Sequence, residues 1–106
     1  MIKVTIDRGS DCCLILGGHS GFAPAGQDIV CSSATTLAYA FAHAVIAAWK
    51  ADELIDEPVI RMDPGDIEIR AQLLPEFEGS LNRTIDAIED TYSLLERSYP
   101  DCIEII

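Results

Sequence analysis

The chain has 106 residues, 49% of them hydrophobic, with 18 Asp and Glu against 7 Lys and Arg for a formal net charge of -11. That length suits one domain, residues 1–106, and is too short for two; such a domain hides roughly two-thirds of its unfolded surface and needs neither disulfide nor metal to fold. The acidity makes nucleic acid and anionic membrane poor direct partners, and either attracts basic proteins or serves solubility alone.

The opening MIKVTIDRG carries charges and no signal-like apolar run, and no stretch reads as a membrane span of ~20 apolar residues. The expectation is a cytoplasmic protein with reduced thiols. Its four cysteines, Cys12, Cys13, Cys31 and Cys102, form no Cys-x-x-Cys pair.

Ile2, Val4 and Ile6 alternate with Lys3, Thr5 and Asp7, which predicts a half-buried strand. A turn around Gly9 leads to a second, more buried strand over residues 12–17. Residues 17–27 hold four glycines and a proline and read as a loop. Val30, Ala34, Leu37, Phe41, Ala44, Val45 and Ala48 then recur at helical spacing. This helix starts between 29 and 33 and ends near Ala51, with Asp28, Ser32 and Ser33 as alternative N-caps. The choice decides whether Cys31 sits in the first turn or just before it.

Residues 57–71 predict a hairpin turning at Asp63-Pro64-Gly65-Asp66. Pro75 and Glu76 open a second helix with a buried stripe of Leu81, Ile85, Ile88, Tyr92 and Leu95, stopped by Pro100. Ile103, Ile105 and Ile106 form a last strand. The order β-β-α-β-β-α-β predicts an α+β sandwich, two helices against one face of a mostly antiparallel five-stranded sheet.

Chemistry concentrates at the glycine-rich loop. A thiol at a helix start feels the positive end of the helix dipole and free N–H groups, which favour thiolate. A histidine within reach can take the thiol proton, and flanking backbone N–H groups can serve as an oxyanion hole. Cys31 and His19 lie twelve positions apart across the loop and meet if it folds back. The same residues have a plainer reading, a small buried cysteine and a surface histidine. His43, inside the alanine-rich helix, and Cys12, Cys13 and Cys102 read as structural. A metal site from Cys12, Cys13, His19 and Cys31 would match no familiar zinc spacing, and no cofactor is implied.

The block from Gly18-His19 through Gly26-Gln27-Asp28-Ile29-Val30-Cys31 to Ser32-Ser33 resembles the signature of the ribosomal-processing cysteine protease (Prp) family. That signature is Gly-His, a short stretch with an aromatic, then Gly-x-Asp-[Ile/Leu/Val]-Val-Cys and small residues. Chain length and element order also agree. One departure is Ser20-Gly21, where many members have alanine and then a larger residue.

The resemblance implies a bacterial, cytoplasmic homodimer. Its partner would be a large-subunit ribosomal protein precursor, from which it removes a short N-terminal extension after hydrophobic and aromatic residues. The family's catalytic pair falls on His19 and Cys31. Asp28 would cap the helix or orient His19. Ser32 and Ser33 would admit a peptide backbone, Phe22 would line the substrate pocket or plug it, and Gly21 and Gly26 would hinge a gating loop. Two other functions stay open. A thiol redox enzyme or other hydrolase predicts reaction with peroxide or a thioester and indifference to peptides. A non-catalytic acidic ribosome-associated protein predicts binding that survives Cys31→Ala with no product.

Overall fold

The structure, a computed structural model, describes residues 1–106. The elements in chain order are β1 (Ile2–Asp7), β2 (Asp11–Gly17), α1 (Ile29–Lys50), β3 (Val59–Asp63), β4 (Asp66–Gln72), α2 (Asn82–Ser98) and β5 (Ile103–Ile105). They form one five-stranded sheet in the order β3-β4-β2-β1-β5. Every pairing is antiparallel except β1 with β5, which is parallel. The expected α+β sandwich is therefore the fold observed.

Register makes the sheet two-faced. Val4 pairs with Leu16, Leu14 with Ile69 and Cys12 with Ala71, and all six belong to one buried cluster shared with both helices. Thr5, Ile15 and Glu68 lie in line across the opposite face, as do Cys13 and Arg70. Cys12 and Cys13 thus take opposite faces, as side chains one apart must, yet both are buried.

Helix α1 lays Val30, Ala34, Ala38, Phe41, Ala42, Val45 and Ala48 on the core. Fully burying Phe41 and Val45 contributes about 1.5–3 kcal/mol each. His43, within the same helix, lies exposed on its outer side. By length and composition α1 is also apolar enough to cross a membrane, contrary to the sequence expectation. In this fold its apolar stripe is spent on the sheet and on α2. Tyr92 of α2 crosses to it, fully buried, and its hydroxyl donates to the Ala34 carbonyl at 2.8 Å.

One boundary differs from expectation. Pro75–Phe77 form a short 3-10 turn, and α2 begins only at Asn82. Gly79 at φ 90° interrupts the backbone between them, because a left-handed residue cannot continue a right-handed helix. The stripe itself is as expected, with Ile85, Ile88 and Tyr92 buried and Leu81 and Leu95 packed partly against the core.

Candidate active site

Strand β2 leaves the sheet at Gly17, and three segments converge where it does. Gly18 N–H donates to the Gly65 carbonyl at 2.9 Å, which docks the β3–β4 turn against the loop. Gly18 has φ 95°, and a β-carbon there would stand 2.3 Å from the Met1 carbonyl oxygen. Glycine is required on both counts. The next residue, His19, is exposed and turns its imidazole toward Gly65. A β-carbon on Gly65 would lie 2.6 Å from His19 Cε1 and 2.7 Å from Nε2, so the bare turn is the surface on which the ring rests.

The third segment is the N-terminus of α1. Asp28 is its N-cap, and its Oδ1 accepts from Cys31 N–H at 2.9 Å. Cys31 therefore sits in the first turn, which settles the alternatives of the sequence reading and places its sulfur at the positive end of a 22-residue helix. Ser20 N–H donates to Cys31 Sγ at 3.4 Å, so the residue after His19 touches the sulfur.

Asp28 is buried, and both its oxygens are engaged. Besides the cap, Oδ2 accepts from the Ser20 hydroxyl and from Ala23 N–H at 3.4 Å. The Ser20 hydroxyl foremost, then the Cys31 and Ala23 N–H groups, outweigh desolvation and hold its carboxyl down at about 2. The carboxylate makes no direct bond to His19 and reaches it only through Ser20. Capping also occupies Cys31 N–H, and Ser32 N–H is taken by the Asp28 carbonyl at 3.1 Å. Neither amide is free to form the oxyanion hole expected from the helix start.

Two cavities meet at this point. One, of about 380 Å³, is floored by Ile2 and Leu16 and walled by Thr35, Thr36, Tyr39, Pro64 and Gly65. The other, of about 370 Å³, is lined by Gly21, Ala23, Ala25, Gly26 and Asp28. His19, Cys31, Ser32 and Pro64 border both.

The other sequence-selected residues divide. Ser32 lies at the site, whereas Ser33 lines only an adjoining groove between the helices, which Ser32 and Thr36 share with Leu37, Thr91, Leu94 and Leu95. Phe22 lines neither cavity beside Cys31. Its ring stands edge-on to Tyr99 with centroids 5.4 Å apart and remains 46% exposed. Here it neither lines the pocket nor plugs it. Gly21 and Gly26 have φ 71° and 85°, with nothing near their missing β-carbons, so any side chain there would be strained by the backbone alone. The turn residues Pro64 and Gly65, and Thr35 and Tyr39 one and two turns along α1 from Cys31, were not anticipated. For Gly65 the Asp-Pro-Gly-Asp turn was the available signal; for Thr35 it was helical spacing from Cys31.

Burial pushes the Cys12 and Cys13 thiols up from their ordinary value. No group of three or more His, Cys, Asp or Glu side chains is assembled for a metal ion.

The family model described as "Cysteine protease Prp" matches residues 1–104. The ribosomal processing cysteine protease Prp of Bacillus subtilis (strain 168) is 30% identical over 110 residues, spanning 99% of this chain and 96% of that protein. Two crystal structures of an essential ribosomal processing protease Prp from S. aureus share the fold. The complex with a covalently linked product peptide has a TM-score of 0.75 at 22% identity, covering 99% of this chain and 97% of the other. The complex with a substrate peptide has a TM-score of 0.64 at 18% identity, covering 100% and 98%.

Proposed function

The chain belongs to the Prp family of cysteine proteases, and from that premise we propose that it is an endopeptidase working through a Cys31–His19 dyad. The observation that carries the dyad is the shared border: both side chains line both cavities, and Ser20 N–H, one residue beyond His19, lies on the sulfur. In the proposed reaction His19 takes the Cys31 proton and the thiolate attacks the scissile carbonyl carbon. The imidazolium then protonates the departing amine, leaving an acyl-enzyme thioester. His19 next takes a proton from water, hydroxide adds to the thioester, and Cys31 leaves as thiolate and regains its proton.

The substrate we propose is a large-subunit ribosomal protein precursor bearing a short N-terminal extension with hydrophobic or aromatic residues. Two features support it. The ~380 Å³ cavity has an apolar floor of Ile2 and Leu16 beside Tyr39, suited to such side chains. A net charge of -11 suits a cationic ribosomal protein and would speed its association at low salt. We place the enzyme in the bacterial cytoplasm as a homodimer.

Mass spectrometry of that precursor, incubated with the wild-type chain and with Cys31→Ala, tests the reading. A single N-terminal cut made by the wild type alone is expected. Binding without any cut would return the function to a docking protein, and turnover of a peroxide or thioester in place of peptide would return it to a thiol enzyme of another kind.

A further inference from the structure

Ser20 and Asp28 are the two buried polar residues of the chain, and they are bonded to each other. Serine in a glycine-rich surface loop is ordinarily solvated, so its burial at 4% exposure calls for a reason. Its three polar contacts supply one. The hydroxyl donates to Asp28 Oδ2, Ser20 Oγ accepts from Phe22 N–H at 3.1 Å, and the Ser20 backbone N–H donates to Cys31 Sγ at 3.4 Å. Asp28 Oδ1 closes the circuit on Cys31 N–H at 2.9 Å. The result is a ring of Ser20, Asp28 and Cys31, with His19 attached at one corner by a single peptide bond.

We propose that Ser20 is the positioning residue of this active site: its hydroxyl locks the loop onto the helix cap and thereby fixes His19 against Cys31 while residues 21–27 move. The proposal rests on the cysteine-peptidase reading of the preceding subsection. A loop that must open for a peptide puts the geometry of any base it carries at risk. Here the glycines expected to act as hinges lie at 21 and 26, both at positive φ, and the ring closes one residue before the first of them. Motion is thus separated from alignment. The Ser20 N–H also strengthens as a donor once the sulfur is charged, since bonds to ionised acceptors are roughly twice as strong as neutral ones. Alanine, the residue many family members carry here, would keep that N–H but lose the bond to Asp28; in this chain a glycine follows where those members have a larger residue, so the lock is a device of this chain and not of the family.

The test is a double-mutant cycle of Ser20→Ala and Asp28→Asn, read as kcat/KM on a peptide spanning the cleavage site and as the rate of Cys31 alkylation by iodoacetamide. Ser20→Ala should lower peptide kcat/KM about 10- to 100-fold, the scale of a misplaced catalytic group, chiefly through kcat. It should change alkylation less than about threefold, because the sulfur stays in place. In the Asp28→Asn background the same substitution should add little, because asparagine replaces the charged acceptor of the Ser20 hydroxyl and the bond is already weakened. Peptide cleavage by Ser20→Ala within twofold of wild type, or a full additional loss in the Asp28→Asn background, would overturn the assignment. Ser20→Thr retains the hydroxyl and should recover much of the loss. If Ser20→Ala does not fold, a carbon-13 titration of Asp28 in the wild-type chain decides: a value well below the ordinary carboxylate range supports the bond, and an ordinary value overturns it. Failure of the wild type to cut any peptide would instead remove the peptidase reading, an outcome separate from a wild type that cuts beside an unimpaired Ser20→Ala.

Discussion

The β-carbon that Gly65 lacks would stand 2.6 Å from His19 Cε1, although the two residues are 46 positions apart. The turn of one hairpin is therefore the support for a side chain on another loop. Gly65→Ala must push the imidazole aside and also strain a backbone held at φ 69°. The second effect costs about 1–2 kcal/mol of stability. The first should cut peptide kcat/KM at least about 10-fold with Cys31 still open to alkylation. Wild-type kcat/KM in a folded Gly65→Ala variant would show that the ring does not depend on the turn.

Iodoacetamide should label Cys31 ahead of every other thiol in the native chain near neutral pH. Cys12 and Cys13 are buried and their thiols are pushed up by that burial, whereas Cys31 borders two cavities. Peptide mapping of partially labelled protein gives the order. First labelling at Cys12, Cys13 or Cys102 would remove the case for Cys31 as nucleophile.

His19→Ala should abolish peptide turnover yet shift stability by less than about 1 kcal/mol, as most surface substitutions do, because His19 is exposed. Chemical denaturation and a peptide assay on the same preparation check both halves. Retained turnover would exclude His19 as the base.

Replacing Gly26 by alanine meets no neighbouring atom but strains a residue at φ 85°. Such stiffening of the loop should slow peptide cleavage far more than alkylation of Cys31 by a small reagent. Equal slowing of the two reactions, or none, would move the gate away from this segment.

The Asp28 carboxyl is held at about 2 against an ordinary 3.8. A folded value below the unfolded one adds stability that is complete above the unfolded value and disappears as pH falls through the folded one. The melting temperature of wild type should therefore exceed that of Asp28→Asn above about pH 5, with the gap closing between about pH 4 and 2. A gap constant across that range would mean that the carboxylate is not ionised in the ring.

Strand alternation at Ile2, Val4 and Ile6 and the helical recurrence from Val30 to Ala48 were legible in the sequence, because each element reports its own period. The start of α2 was not. Pro75 and Glu76 look like a helix opening, and one glycine at position 79 overrides them. At the site, residues adjacent in the chain could be read: Asp28 three positions before Cys31, and the glycines around the loop. Contacts made by chain reversal could not. Nothing local says that Gly65 lies under His19, or that the Ser20 hydroxyl turns inward to Asp28 rather than out to water. Phe22, the one large apolar side chain of its loop, looked like a cover for the thiol, but Tyr99 at the end of α2 is where the ring packs.

The alanines of α1 carry a further implication, for how this protein can drift over generations. Ala34, Ala38, Ala42 and Ala48 bring the helix close to β2 and β4, and Ala34 is three residues from Cys31 on the same rigid rod. A methyl group gained at any of these buried positions must be accommodated by displacing the helix or its neighbours, and Cys31 rides on that helix. Positions that never meet a substrate thus bear on the geometry of the cleft. Substitution is better tolerated on the outer side, around His43 and Ala47, which lie exposed and line none of the cavities.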